Sequence, residues 1–63
     1  MFTVKDLSVG DLCASYRMTI THIGALPARI WDKELFAVDG IEWDNGAERH
    51  IVTLEDTPVE VWE

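Results

Sequence analysis

The reactive side chains of this 63-residue chain gather in a few short stretches, the densest being "VDGIEWDNGAE" at residues 38–48. Asp39, Glu42, Asp44 and Glu48 stand there around Trp43. Acids at that density invite a cation. An EF-hand loop needs acids or amides at its first, third and fifth positions ahead of a glycine at the sixth. With Gly46 in the glycine position, Ile41 and Trp43 fall where the first and third ligands belong, so the pattern fails. A looser cage from Asp39, Asp44 and Glu48 is outweighed by the simpler reading of solvated turn acids. Zinc needs three or four ligands, and Cys13, His22 and His50 are the only cysteine and histidines, at spacings that match no finger or ribbon. The expectation is no metal and no cofactor.

Nucleophilic chemistry fares no better. Ser8 and Ser15 have no neighbouring histidine, there is no G-x-S-x-G stretch, and phosphate-binding loops are absent. Cys13 with His22 would still require an orienting group and an oxyanion site, for which so small a domain has little room. Glu55 and Asp56 fall in a turn open to water, an environment that does not tune carboxyls for acid–base work. The chain is therefore expected not to be an enzyme, with no catalytic residues. Cys13 reads as a packing residue. His50 reads as a half-buried ring on the core face beside Ile41.

Charge is more informative. Five Lys and Arg stand against twelve Asp and Glu, a net charge of −7. Residues 1–31 carry three cations and two acids, whereas residues 32–63 carry two cations and ten acids, so all the excess negative charge lies in the second half. Such a surface repels nucleic-acid phosphates and anionic membranes, which excludes direct binding to either. It suits a protein partner with a basic surface. The three tryptophans, Trp31, Trp43 and Trp62, each lie next to an acid. Trp43 is expected to fill the core; Trp31, beside a turn, and Trp62, near the chain end, are expected to be exposed. Exposed tryptophans ringed by charge have the composition of a protein-binding hot spot. The expected partner-binding set is Trp31, Asp32, Asp44, Glu48, Glu55, Asp56 and Trp62.

These residues must be positioned by a small scaffold. Area scaling implies that about 6,300 Å² is buried on folding. If about 60% of that is apolar, the gain of roughly 95 kcal/mol nearly equals the loss of about 1.5 kcal/mol of entropy per residue. Little is left over for a hollow or strained active site. One cysteine allows no internal disulfide, which fits a reducing cytoplasm. The N-terminus lacks the apolar run of a signal peptide, and no stretch approaches the roughly 20 apolar residues of a membrane span.

Along the chain, Phe2–Val4 reads as extended, followed by at most one helical turn capped by Thr3 or Asp6 and stopped by Gly10. Alternation from Leu12 to Ile23 predicts a strand with Leu12, Ala14, Tyr16, Met18 and Ile20 on one face; its length requires a break near Tyr16–Met18. Ala28–Trp31 and Leu35–Val38 read as a hairpin around Asp32-Lys33. Asp39-Gly40 and Asn45-Gly46 each predict a two-residue type I′ turn. That register sets Val38 opposite Ile41 and Glu42 opposite Arg49, and gathers Phe36, Val38, Ile41, Trp43, His50, Val52 and Leu54 on one core face. Glu55–Pro58 reads as a turn and Val59–Trp62 as a closing strand with Pro58 at its start. So many short strands with almost no helix predict a single all-β domain over residues 1–63: a small, strongly bent five- to six-stranded barrel.

Two stretches carry a resemblance. "DLSVGDLCA" resembles the "lxxGDxV" opening of SH3-like small β-barrel modules of the KOW and Tudor type, and "HIVTLEDTPVEVW" resembles their ending of strand, tight turn and closing strand. The resemblance implies an SH3-like barrel and transfers no binding residues. The expected function is a non-catalytic protein-binding module docking an acidic surface onto a basic protein partner, with a small phage-type inhibitor or nucleic-acid mimic as its sharper form. The alternative is a structural or accessory subunit that homo-oligomerises or completes a larger assembly.

Overall fold

A computed structural model describes residues 2–62. Phe2–Thr3 forms β1, Leu12–Cys13 β2, Met18–Ile30 β3, Lys33–Glu42 β4, Glu48–Leu54 β5, Pro58–Val59 β6 and Val61–Trp62 β7. All pairings are antiparallel. The protein is all-β, with one three-residue 3₁₀ turn, Val4–Asp6, among the described residues. The Asp6 carboxylate holds that turn by accepting from the Thr3 backbone N–H and hydroxyl. β1 pairs with β6, and a five-stranded sheet runs in the order β5-β4-β3-β2-β7.

The core lies between this sheet and the N-terminal segment. Val4, Leu7, Cys13, Met18, Ile20, Val38 and Val59 are buried, with Tyr16, Ile23, Phe36, Ile51 and Val61 packed against them. Backbone bonds from Val4 N–H to Thr57 O (3.0 Å) and from Lys5 N–H to Glu55 O (3.1 Å) tie the 3₁₀ turn to the β5–β6 connection. The accessible surface, 4118 Å², matches the value of about 4,100 Å² for a compact monomer of this mass.

The expected break in the first long strand occurs at the turn Ala14–Arg17, between β2 and β3. Because that turn resets the side-chain parity, Cys13 is buried while Leu12 faces water, reversing the expected face at Leu12. The hairpin expected around Asp32-Lys33 is present, with its two-residue turn one position earlier, at Trp31-Asp32; Ile30 pairs with Lys33. Pro58 begins β6 as expected, and the closing segment is divided into β6 and β7, making seven strands among the described residues rather than five or six.

The largest correction concerns Asp39-Gly40, which is not a turn. It lies inside the ten-residue β4, so the expected meander with a short middle strand becomes one long hairpin, β4–β5. Gly40 is required for another reason. A Cβ there would meet Thr19 O at 2.7 Å and the Met18 side chain at 2.8 Å, so the glycine lets β3 and Met18 pack directly over β4. The turn that remains is wider than the expected two-residue type I′ turn and spans Trp43–Gly46: Glu42 N–H bonds to Ala47 O, Gly46 but not Asn45 takes the left-handed conformation, at φ 69°, and Asn45 Oδ1 accepts from Ala47 N–H.

With that register, Val38 pairs with Ile51 and Asp39 with His50. Phe36 and Val38 face the core; Ile41, His50, Val52 and Leu54 alternate onto the opposite face, correcting the expected core set and the expected half-buried His50. Glu42 and Arg49 still meet diagonally, at 3.3 Å. A bulge at Thr21 adds one residue between the pairs Ile20–Gly40 and His22–Asp39. It keeps both Ile20 and Ile23 toward the core while sending His22 outward.

Candidate protein-binding site

The far end of the β3–β4 hairpin projects from the fold. β5 accompanies β4 only as far as the Leu35–Leu54 pair, and Pro27 through Asp32 are all exposed. Leu26, Pro27 and Ala28 stand opposite Leu35 alone, a bulge that accommodates the missing N–H of Pro27. At the tip, Trp31 and Asp32 both adopt left-handed backbone conformations, φ 52° and 63°. That is the geometry of a type I′ turn, normally filled by Asn-Gly or Gly-Gly. A tryptophan there is a conformational outlier. Trp31 is 83% exposed, and the neighbouring Ile30 is 45% exposed.

The turn is braced from both sides. The Arg29 guanidinium donates to Asp32 O at 2.6 Å. Lys33 Nζ donates to the Asp56 carboxylate, and this bond holds the Asp56 carboxyl below the usual carboxylate range. Glu55 N–H bonds to Glu34 O at 2.9 Å. Four of the expected site residues, Trp31, Asp32, Glu55 and Asp56, thus converge on one end of the molecule, fastened to the turn after β5. Among the described residues, the side chains of Asp32 and Glu34 have no hydrogen-bond or ionic partner.

The other three do not join them. Asp44 lies in the β4–β5 turn, at the end where β3 begins, and is paired with Arg17 at 2.9 Å. Glu48, exposed, opens β5 opposite Ile41. Trp62, 55% exposed, stacks on Trp43 with ring centroids 5.0 Å apart and planes tilted by 31°. Trp43 is half-buried on the sheet rather than filling the core, and its indole N–H donates to Thr19 Oγ1 at 3.1 Å. This aromatic pair fastens the C-terminal strand beside the β4–β5 turn.

One cluster escaped the sequence reading. His22, Asp39 and His50 form a row across β3, β4 and β5 on the outer face, with Asp39 Oδ1 2.5 Å from His50 Nδ1 and Oδ2 3.6 Å from His22 Nδ1. They line an open cleft of about 400 Å³ with Thr21, Gly40, Glu48 and Arg49. The signal that would have found it is the Ile20-x-x-Ile23 interruption of the two-residue period. No group of three His, Cys, Asp or Glu among the described residues is arranged to hold a metal ion, this row included. No described helix is long and apolar enough to cross a membrane. Comparison of the chain with protein-family models, with curated proteins and with solved structures returns no match.

Proposed function

We propose that this chain is a non-catalytic protein-binding module, an SH3-like small barrel that docks an acidic surface onto a basic protein partner. The observation that carries this reading is Trp31. Its ring lies almost wholly in water, on a backbone conformation that costs about 1–2 kcal/mol for a residue with a side chain. Folding gains nothing from placing the bulkiest side chain there. Strain retained at an exposed aromatic residue is the mark of a contact made with something else. The bracing by Arg29, Lys33 and Asp56 reduces the conformational freedom lost on docking. The net charge of −7 draws a basic partner toward the surface over long range.

The barrel type is supported by the strand order, in which the last strand returns beside β2 and the remaining strands form a meander from it. The reading as a nucleic-acid mimic of the phage-inhibitor kind is its sharper form, with carboxylates occupying the phosphate positions of a nucleic-acid-binding enzyme. Cytoplasmic residence belongs to the same proposal, since the lone, buried Cys13 suits a reducing compartment. The alternative of a structural or accessory subunit draws on the open outer edges of β5 and β7.

Affinity capture from a lysate tests the proposal, using the wild type, Trp31→Ser and the triple charge reversal Asp32→Lys, Asp44→Lys, Glu48→Lys. A basic protein retained at low salt, released by raised ionic strength and lost with Trp31→Ser is the expected result. Retention indifferent to salt and to all four substitutions would refute it. Assembly of the purified chain into a defined oligomer would favour the accessory-subunit alternative.

A further inference from the structure

The geometry points to an arginine side chain as the group that the hairpin tip recognises, its guanidinium lying on the Trp31 indole and its N–H fork reaching the Asp32 carboxylate. This inference rests on the reading of the tip as the docking site and names the chemistry of its occupant. Trp31 and Asp32 are the two central residues of one tight turn and both are exposed, so an aromatic side chain and a carboxylate with no partner among the described residues stand at consecutive positions at the tip of the arm. Among the described residues, the one cation that donates to this turn, Arg29, is engaged by the backbone oxygen of Asp32 and not by its carboxylate. Lys33 is turned away to Asp56. The carboxylate therefore remains for an incoming donor, with Glu34 close by in sequence as a second unpaired acid.

Arginine fits this pair better than lysine does. A planar guanidinium stacks flat on an indole and simultaneously offers several N–H donors at its edge, whereas an ammonium is a compact, strongly hydrated charge. Trp is also the aromatic residue whose face attracts cations most strongly. A nucleobase could stack on the same ring, but the phosphates attached to it meet a net charge of −7. A purely apolar anchor would not explain an exposed, unpaired carboxylate at the next position of the same turn.

The test uses the full chain and two ten-residue peptides, one alternating arginine with glycine and the other alternating lysine with glycine. A ten-nucleotide single-stranded RNA serves as a third probe. Binding is followed by calorimetry and by the Trp31 indole N–H resonance in ¹⁵N-labelled protein. The arginine peptide is expected to bind more tightly than the lysine peptide and to shift the Trp31 resonance. Trp31→Leu retains an apolar side chain without the aromatic face, and Asp32→Asn retains a residue that tolerates the left-handed turn. Each is expected to weaken arginine-peptide binding by roughly 3- to 30-fold, while Trp62→Leu, at the other end of the molecule, leaves it unchanged. Equal affinity for the two peptides, an unaffected Trp31→Leu variant, or tighter binding of the RNA would each overturn the inference. Trp31→Leu still capturing the lysate partner that Trp31→Ser loses would overturn the arginine assignment alone; both variants capturing it would overturn the docking site as well.

Discussion

Gly40→Ala separates the two roles that a glycine after aspartate can play. In a two-residue turn Gly40 would need a positive φ; in the structure it does not have one, and the left-handed glycines are Gly10 and Gly46. The added methyl instead meets Thr19 O at 2.7 Å and Met18 Sδ and Cγ at 2.8 and 2.9 Å. Met18 is itself completely buried, so its side chain has little space into which to move, and the Thr19 carbonyl belongs to the backbone of β3. Overpacking of this kind costs about 1–3 kcal/mol. Alanine also restricts the unfolded chain, which returns about 0.4–1 kcal/mol. The expected net loss is about 1–2 kcal/mol, lowering Tm by roughly 4–16 °C for a domain of this size. Urea unfolding followed by tryptophan fluorescence measures it. Met18→Ala in the Gly40→Ala background should recover part of the strain, because it removes two of the three close atoms, leaving the Thr19 contact. A Gly40→Ala protein as stable as the wild type would refute the close packing of β3 on β4, and cross-strand NMR contacts between Val38 and Ile41 would restore the turn.

Three further outcomes are expected. Replacing Trp31-Asp32 by Asn-Gly should raise stability by about 1–2 kcal/mol, because both residues suit φ > 0; a lower urea midpoint than wild type would show that the tryptophan supports the fold. The bond from Lys33 depresses the folded-state pKa of Asp56, so its contribution is present above the unfolded pKa and is lost as pH falls through the folded value. Asp56→Asn should therefore flatten the acid side of the Tm–pH curve, whereas an unchanged curve between about pH 2 and 6 would remove that ion pair from the stability account. The surface area already matches that of a compact monomer, so sedimentation of the pure protein should give a single species of monomer mass across a wide concentration range; a concentration-dependent mass would instead support the subunit alternative.

Local chemistry was legible wherever the cause of a structure lay within a few residues. Asn45-Gly46 sits in a turn, though not the two-residue one expected: Gly46 supplies the left-handed residue and the Asn45 side chain accepts from Ala47 N–H. Thr3 and Asp6 meet over one 3₁₀ turn, and Pro58 starts a strand, for similarly short-range reasons. The exposure of Trp31 and Trp62 followed from their places beside a turn and near the chain end. Asp39-Gly40 misled because the same dipeptide satisfies two different demands, and the one that prevailed came from Met18 and Thr19, about twenty residues away in sequence. Once that turn vanished, every partner on β5 shifted, and His50 moved from the expected core face to the water-facing row with Asp39 and His22. The acids were legible as a composition and not as a site: Asp32, Glu55 and Asp56 converge at the hairpin arm, whereas Asp44 is occupied by Arg17 at the other end.

The sequence by itself determined a small all-β chain, strongly acidic in its second half, with the position of its final turn and two exposed tryptophans. Those properties arise from composition, alternation and turn chemistry, which act over a few residues. Tertiary structure alone decided that β4 runs unbroken through Gly40, that a bulge at Thr21 turns His22 outward, and that the β3–β4 arm extends beyond its neighbours to hold Trp31 in water. Each depends on which distant strand packs alongside. A one-residue change in that pairing exchanges the buried and exposed faces of a whole strand.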